Sequence, residues 1–394
     1  MRLFPFTCIR PTSAAAPALV TLPYEDLDLA GAGERARHAE GVDWPLGADA
    51  TGEREAALLQ ARLESGQLVV DDEPHLYAYR IEPRDGRPMT GVVAACSVDE
   101  YLDGTIRRHE QTRAAIEHTR AAHIEALGLQ TGPVLLAHED DAAVAQAVAL
   151  ATACEPLTSL VDGLGARNTV WRVDDAGAAR ALAEAFDGLG CAYIVDGHHR
   201  AAASADVALE RRRELGHAGR ADAFLAAIFP LRDFTLLSCN RVVRGALRPR
   251  GVAGVLGLLE SRGLPATTLA RAPEGIEAGH AALFARGTWY DLELPVPAGA
   301  GALETLDSTR LQRGVLGSAF GISDPRRDPK LAFVGGIYGL DGLERACGWD
   351  DVALALRPPT PDEVMAVADA GLTMPPKSTW FEPKPRGGLF ARRV

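Results

Sequence analysis

Short apolar runs alternate with longer segments of helical period over the first 245 residues of the chain. Leu3 to Ile9 and Ala18 to Leu22 read as extended pieces broken by prolines. Glu53 to Glu64 reads as a helix with Ala57, Leu58, Leu59 and Ala61 inward, and Leu68 to Val70 as a strand. Leu76 to Glu82 and Thr90 to Ser97 flank Arg84-Asp85-Gly86-Arg87 and predict a hairpin. Ser97 and Glu100 have capping-box spacing for a short helix, and Gly104 to Thr112 is polar and irregular. Helices are predicted over Arg113 to Leu127, Asp141 to Ala153 and Ala176 to Phe186, with strands at Pro133 to His138 and Thr169 to Val173. Cys191 to Val195 is a buried strand leading through Asp196-Gly197 into a long polar helix that ends near Leu215.

From about Arg244 the pattern changes. Val252 to Arg262 and Ser308 to Ser318 read as helices, Arg286-Gly287 as a hairpin turn, and Pro295 to Gly301 as a loop. Leu331 to Val334 and Val352 to Arg357 read as strands, and Thr360-Pro-Asp-Glu363 as a capping box with proline at the first helical position. Strands interleaved with helices predict a mixed α/β (α+β) fold. The expected division is a core with an N-terminal extension over 1–245 and a C-terminal α/β domain over 246–394. The strap 374–384 is expected to return to the active site, and the C-terminal half to serve as a lid, a dimer interface or both.

Composition narrows the function classes. The 394 residues carry 41 basic and 53 acidic side chains, a net charge of −12, which argues against a nucleic-acid partner. No apolar run reaches membrane-spanning length, and MRLFPFTCIRP lacks the order of a secretory signal, so a cytoplasmic protein without a membrane partner is expected. Six dispersed cysteines form no CxxC pair and read as reduced thiols. Nearly all basic residues are arginine; the lysines are Lys330, Lys377 and Lys384.

Three places can carry chemistry. The first is Val195-Asp196-Gly197-His198-His199-Arg200, where cationic side chains crowd a helix N-terminus that is already positive. An anion bound there would resolve the conflict; the alternative is a solvated first turn paired to Asp196 or neighbouring acids. The second is Ile106 to Arg113, where Glu110 lies among Arg107, Arg108, His109 and Arg113. Those cations would keep it ionised and able to orient a hydroxyl; the alternative is a surface loop whose Thr112 caps the next helix. The third is Met374 to Lys384, where prolines enforce an extended path and Lys377, Ser378 and Thr379 offer phosphate ligands. That strap could also simply pack Trp380 and Phe381 onto the core. The chain has no GxxxxGK[ST] loop, no GxGxxG after a strand and no HExxH, and no metal ligands are legible.

VDGHHR resembles the phosphate-binding turn of the ParB/sulfiredoxin superfamily. Nearly the whole chain resembles the bacterial and archaeal domain of unknown function 1015 family, through LPYED (Leu22 to Asp26), VVAACSVDEYLDG, RRHEQTR, YIVDGHHRAAA, DPKLAFVGG and VMAVADAGLTMPPKSTWFEPK. The related enzymes are free serine kinases, which phosphorylate L-serine with ATP or ADP and share an H-E-T element and a D-G-x-H-R turn. His109 and Glu110 match the first element, with Gln111 inserted before Thr112; Asp196, Gly197, His199 and Arg200 match the second. His198 stands where sulfiredoxin has cysteine, and Asn168 where the family leads one to expect histidine.

The resemblance implies a ParB/sulfiredoxin-like core and a small-molecule kinase using ATP or ADP with Mg2+. Glu110, His109 and Arg200 would be catalytic. Asp196, Gly197, His198, His199, Arg200, Lys377, Ser378 and Thr379 would bind nucleotide phosphates. Arg108, Thr112, Arg113 and Tyr24 would hold the acceptor, foremost serine. A ParB-like nucleotide-dependent binding protein without turnover is the alternative, and a homodimer is left open.

Overall fold

The structure is a computed structural model that describes residues 1–23 and 52–394. It confirms a mixed α/β fold. The chain forms two compact units. Met1–Arg108, Thr112–Phe234 and Pro383–Val394 make the first; His109–Gln111 and Thr235–Glu382 make the second.

In the first unit the strands are β1 (Leu3–Phe4), β2 (Cys8–Pro11), β3 (Leu68–Val70), β4 (Leu76–Glu82), β5 (Met89–Ser97), β6 (Ile106–Arg107), β7 (Leu129–Gln130), β8 (Val134–His138), β9 (Thr158–Val161), β10 (Arg167–Val173), β11 (Ala192–Asp196) and β12 (Ala223–Pro230). A mixed sheet runs β6-β11-β8-β12-β5-β4-β10-β9, with β1 paired to β5. β12 is parallel to β8 and antiparallel to β5. The helices are α1 (Ala16–Leu19), α2 (Glu53–Glu64), α3 (Val98–Leu102), α4 (Ala114–Leu127), α5 (Ala142–Ala151), α6 (Ala176–Asp187) and α7 (His198–Leu215).

Alternation along the strands sends Ala78, Val92, Ala94, Leu136, Ile194 and Ala226 into one core, with Val144, Leu182, Phe186 and Ala201 from α5, α6 and α7. Tyr77 and Tyr79 project the other way and meet Phe390, at centroid distances of 5.8 and 5.6 Å. Covering on both faces explains why Val92 to Cys96 is apolar without a polar alternate. Gly91 is required where β12 approaches: a Cβ there would lie 2.0 Å from the Ile228 carbonyl oxygen.

Several expectations are corrected. Ala18 to Leu22 is not a strand; Ala16–Leu19 is a helical turn with Pro17 at its start, where proline needs no amide partner. Helix α2 has the predicted bounds but turns Glu55, Leu59 and Leu63 inward while Ala57 and Ala61 are exposed, the i, i+4 stripe of the larger side chains. Only half of the box at Ser97 forms: Ser97 accepts the Asp99 amide, whereas Glu100 accepts the Arg2 amide at 3.0 Å. Within the stretch expected to be irregular, β6 forms as a parallel partner of β11. The first half of α7 is not polar; His198, Ala201 to Ala205, Val207 and Ala208 are buried.

In the second unit the strands are β13 (Thr235–Leu237), β14 (Cys239–Val243), β15 (Ala266–Thr268), β16 (His280–Ala285), β17 (Thr288–Glu293), β18 (Leu331–Gly335), β19 (Val352–Ala355) and β20 (Trp380–Glu382). A six-stranded sheet runs β15-β17-β16-β19-β14-β18, and β13 pairs with β20. Its helices are α8 (Gly251–Ser261), α9 (Asp307–Arg310), α10 (Gly339–Ala346) and α11 (Pro361–Asp369), and α9 continues as a π-helical segment over Leu311–Gly317. The box at Thr360 and Glu363 forms in both directions, as predicted. Gly335 and Gly336 lie where Cβ atoms would meet the Trp380 ring at 2.6 Å and the Ser238 carbonyl oxygen at 2.4 Å.

Candidate functional site

The first cluster is the turn after β11 in the first unit. A register shift between Ile194 and Asp196 ends the strand. Gly197 then takes φ 89°, a left-handed conformation that favours glycine, and opens α7. A Cβ at Gly197 would also lie 2.7 Å from Arg200 Nε, so the guanidinium rests over the bare glycine. Arg200 Nη2 donates to Asp196 at 2.5 Å and Nη1 to the Pro133 carbonyl at 2.7 Å. The ion pair to Asp196 is the one the solvated-turn alternative anticipated. The first turn of this 18-residue helix contains no acid.

His198 is buried at 7% exposure, and His199 Nε2 accepts the Arg113 backbone amide at 3.0 Å. An amide can only donate, so that nitrogen carries its lone pair and the ring is neutral in this geometry. Beside Arg200 lies a cavity of about 40 Å³, lined among others by Arg120, His123, Gln130 and Ser204. Helix α4 begins at Arg113 with no side-chain cap, so Thr112 does not cap it. Arg108 is exposed, 3.5 Å from the Tyr101 hydroxyl, and Arg107 stands over the Tyr193 ring at 5.8 Å.

The second cluster lies wholly in the second unit. Glu110 forms a parallel bridge with Met374, whose amide donates to the His109 carbonyl at 2.7 Å. His109 is 1% exposed, its Nε2 lies 3.1 Å from Thr379 Oγ1, and its ring is 6.1 Å from that of Phe381. Burial lowers its pKa from 6.5 to about 4, so it is neutral rather than one of the cations expected around Glu110. The strap packs Trp380 and Phe381 as buried residues. Ser378 Oγ donates to the Pro375 carbonyl at 2.6 Å, and Lys377 adopts φ 56°, unusual for a residue with a Cβ.

The site residues named from the sequence therefore fall in two groups. Asp196, Gly197, His198, His199, Arg200, Arg108, Thr112 and Arg113 belong to the first unit; His109, Glu110, Lys377, Ser378 and Thr379 belong to the second. Tyr24 lies outside the described residues. Asn168 is fully buried, accepting from the Tyr79 hydroxyl at 2.6 Å and donating to Asp162 at 2.9 Å, a bonding node of the first unit. Sequence reading missed the bond from Arg113 to His199, which joins residues 86 apart and has no local signal. Among the described residues no group of three or more His, Cys, Asp or Glu could hold a metal ion. No helix among them is long and apolar enough to cross a membrane.

Fold and site together define a mixed α/β protein with a cation-rich strand-turn-helix in one unit and a buried histidine beside a proline-rich strap in the other. The chain belongs to the family described as "Protein of unknown function (DUF1015)", whose profile matches residues 3–309. No curated protein matches it. Among solved structures it is similar to C-terminally truncated SbnI from Staphylococcus aureus, at 16% identity over 75% of this chain and 84% of that one, with a TM-score of 0.42. It is also similar to a free serine kinase variant in complex with ADP, at 16% identity over 76% and 90% of the two chains and a TM-score of 0.39. A conserved hypothetical protein from Pyrococcus furiosus matches at 17% identity over 73% and 90%, with a TM-score of 0.36. Likenesses this remote carry no activity across to this chain.

Proposed function

We propose that this protein is a small-molecule kinase that transfers a phosphoryl group from ATP or ADP to the hydroxyl of a free amino acid, foremost L-serine. The observation that carries the reading is the start of α7: a left-handed Gly197 exposes helix amides, and the first turn holds His198, His199 and Arg200 without an acid. Nucleotide phosphates bind at that turn. Asp196 and the Pro133 carbonyl hold the guanidinium of Arg200 in one orientation, which favours stabilising charge on a transferring group.

Glu110 is the general base. It takes the proton of the acceptor hydroxyl as the oxygen–phosphorus bond forms and the bond to the leaving nucleotide breaks. His109 is a positioning residue: neutral and buried, it fixes the backbone of Glu110 against the strap through Thr379 and Met374. Two residues, Gln111 and Thr112, separate Glu110 from Arg113, the residue whose amide binds His199. Lys377, Ser378 and Thr379 are assigned to the phosphates from the strap, and Arg108, Thr112, Arg113 and Tyr24 to the acceptor. Mg2+ would be carried by the phosphates, and no step here depends on a protein ligand to it.

A nucleotide-dependent binding module without turnover is the second reading. Incubation with L-serine and labelled ATP or ADP separates the two. Phosphoserine supports the kinase; nucleotide retention without product in the presence of serine and other hydroxyl amino acids supports the binder.

A further inference from the structure

The second unit buries a cation that no carboxylate among the described residues balances. Arg241 in β14 is 2% exposed, and burial lowers its pKa with no carboxylate opposing that effect. Its Nη1 donates to the Cys239 carbonyl and its Nη2 to the Lys377 carbonyl at 3.3 Å, and its guanidinium stands 5.8 Å from the centre of the Phe333 ring. Among the described residues no carboxylate forms an ion pair with it. A guanidinium has five N–H donors and keeps its charge, so burying one with two carbonyl partners is costly unless an anion completes it.

The neighbouring acids are already taken. Asp307 accepts the Gly279 amide at 2.9 Å and Arg310 Nη2, and lies 2.7 Å from Arg357 Nε. Glu363 accepts both Arg357 Nη atoms, at 2.5 and 3.0 Å, and the Thr360 amide at 2.8 Å. Arg310 and Arg357 thus neutralise Asp307 and Glu363, which leaves the group one positive charge in excess through Arg241. Arg241, Asp307, Ser308, Arg357, Glu363 and Ser378 line a partly open recess whose cavity volume is about 10 Å³. Ser308, 7% exposed, brings a hydroxyl to it. Arg392 shows how this chain satisfies a buried arginine by structure alone. It is 7% exposed and donates to three oxygens, on Gln130, Ala223 and Arg220.

We infer that the recess at Arg241, within the second unit, binds a small oxyanion, the carboxylate or phosphate group of a metabolite. Arg241 supplies the charge and its unused N–H groups; Ser308 supplies a hydroxyl. Arg241 also holds the carbonyl of Lys377, so an anion here bears on the strap residue that adopts φ 56°. The inference stands whether or not the protein is a kinase.

The test uses the full chain carrying Arg200→Ala, which disables the turn. Inorganic phosphate and acetate are titrated separately by calorimetry at constant ionic strength. Saturable binding of either supports the site, and the anion that binds identifies the group it takes. Adding Arg241→Met should weaken that binding at least tenfold. No saturable binding of either anion, or undiminished binding in the folded Arg241→Met protein, overturns the inference. Should Arg241→Met fail to fold, Ser308→Ala replaces it: a several-fold loss of affinity supports the site and unchanged affinity overturns it.

Discussion

The Arg113 amide donates to His199 Nε2 at 3.0 Å, joining the start of helix α4 to the first turn of helix α7. The bond consumes the lone pair of that nitrogen and holds the imidazole neutral, with its proton on Nδ1. Arg200 and the helix amides therefore supply positive charge at the turn without a proton on His199 Nε2.

Replacing Glu110 tests the base. Glu110→Ala should lower phosphoserine formation by about 10²–10⁴-fold, the usual worth of a positioned proton acceptor. The melting temperature should stay within a few degrees of wild type. Full activity in a folded variant, followed with labelled nucleotide, would remove the assignment.

Arg200→Ala removes the ion pair to Asp196 and the bond to the Pro133 carbonyl. The half-exposed pair contributes little to stability, and the bond to Pro133 on the order of 1–3 kcal/mol. Nucleotide affinity should drop by about tenfold or more, read by calorimetry. Asp196→Asn should leave the guanidinium less fixed and give a smaller loss.

His109 gives a pH signature. Its folded pKa of about 4 lies below its ordinary 6.5, so between those values the unfolded chain binds a proton that the folded chain does not. Stability is therefore full above pH 6.5 and is lost as pH falls toward 4, by on the order of 3 kcal/mol from this group. Denaturant unfolding at a series of pH values should show a shallower acid limb in His109→Gln than in wild type; identical limbs would contradict the buried, neutral assignment.

Gly335→Ala places a methyl group 2.6 Å from the Trp380 ring. Overpacking of this kind costs about 1–3 kcal/mol. A lowered melting temperature is expected, accompanied by a change in tryptophan fluorescence; an unchanged spectrum and midpoint would show that Trp380 packs elsewhere.

Helices α2 and α11 and the turn at Gly197 were legible because their signals are local. Helix α2 is marked by composition and length, α11 by Thr360 and Glu363 three residues apart, and the turn by an apolar strand running into Asp-Gly. The inward face of α2 was less legible, because Leu59 and Leu63 are decided by what lies beneath them. The capping box at Ser97 failed for the same reason: its glutamate found a better-placed donor, Arg2, from 98 residues away.

The sequence by itself determined the alternation of strands and helices, the family and the residues worth testing, since period, turn chemistry and motif are written in neighbouring positions. Tertiary structure alone decided that His109 is neutral, that His199 accepts from Arg113, and that Arg241 is buried with no carboxylate among the described residues paired to it. Each of these depends on burial or on a partner distant in sequence. Such contacts set the local dielectric and the hydrogen-bond roles, and no spacing along the chain encodes them.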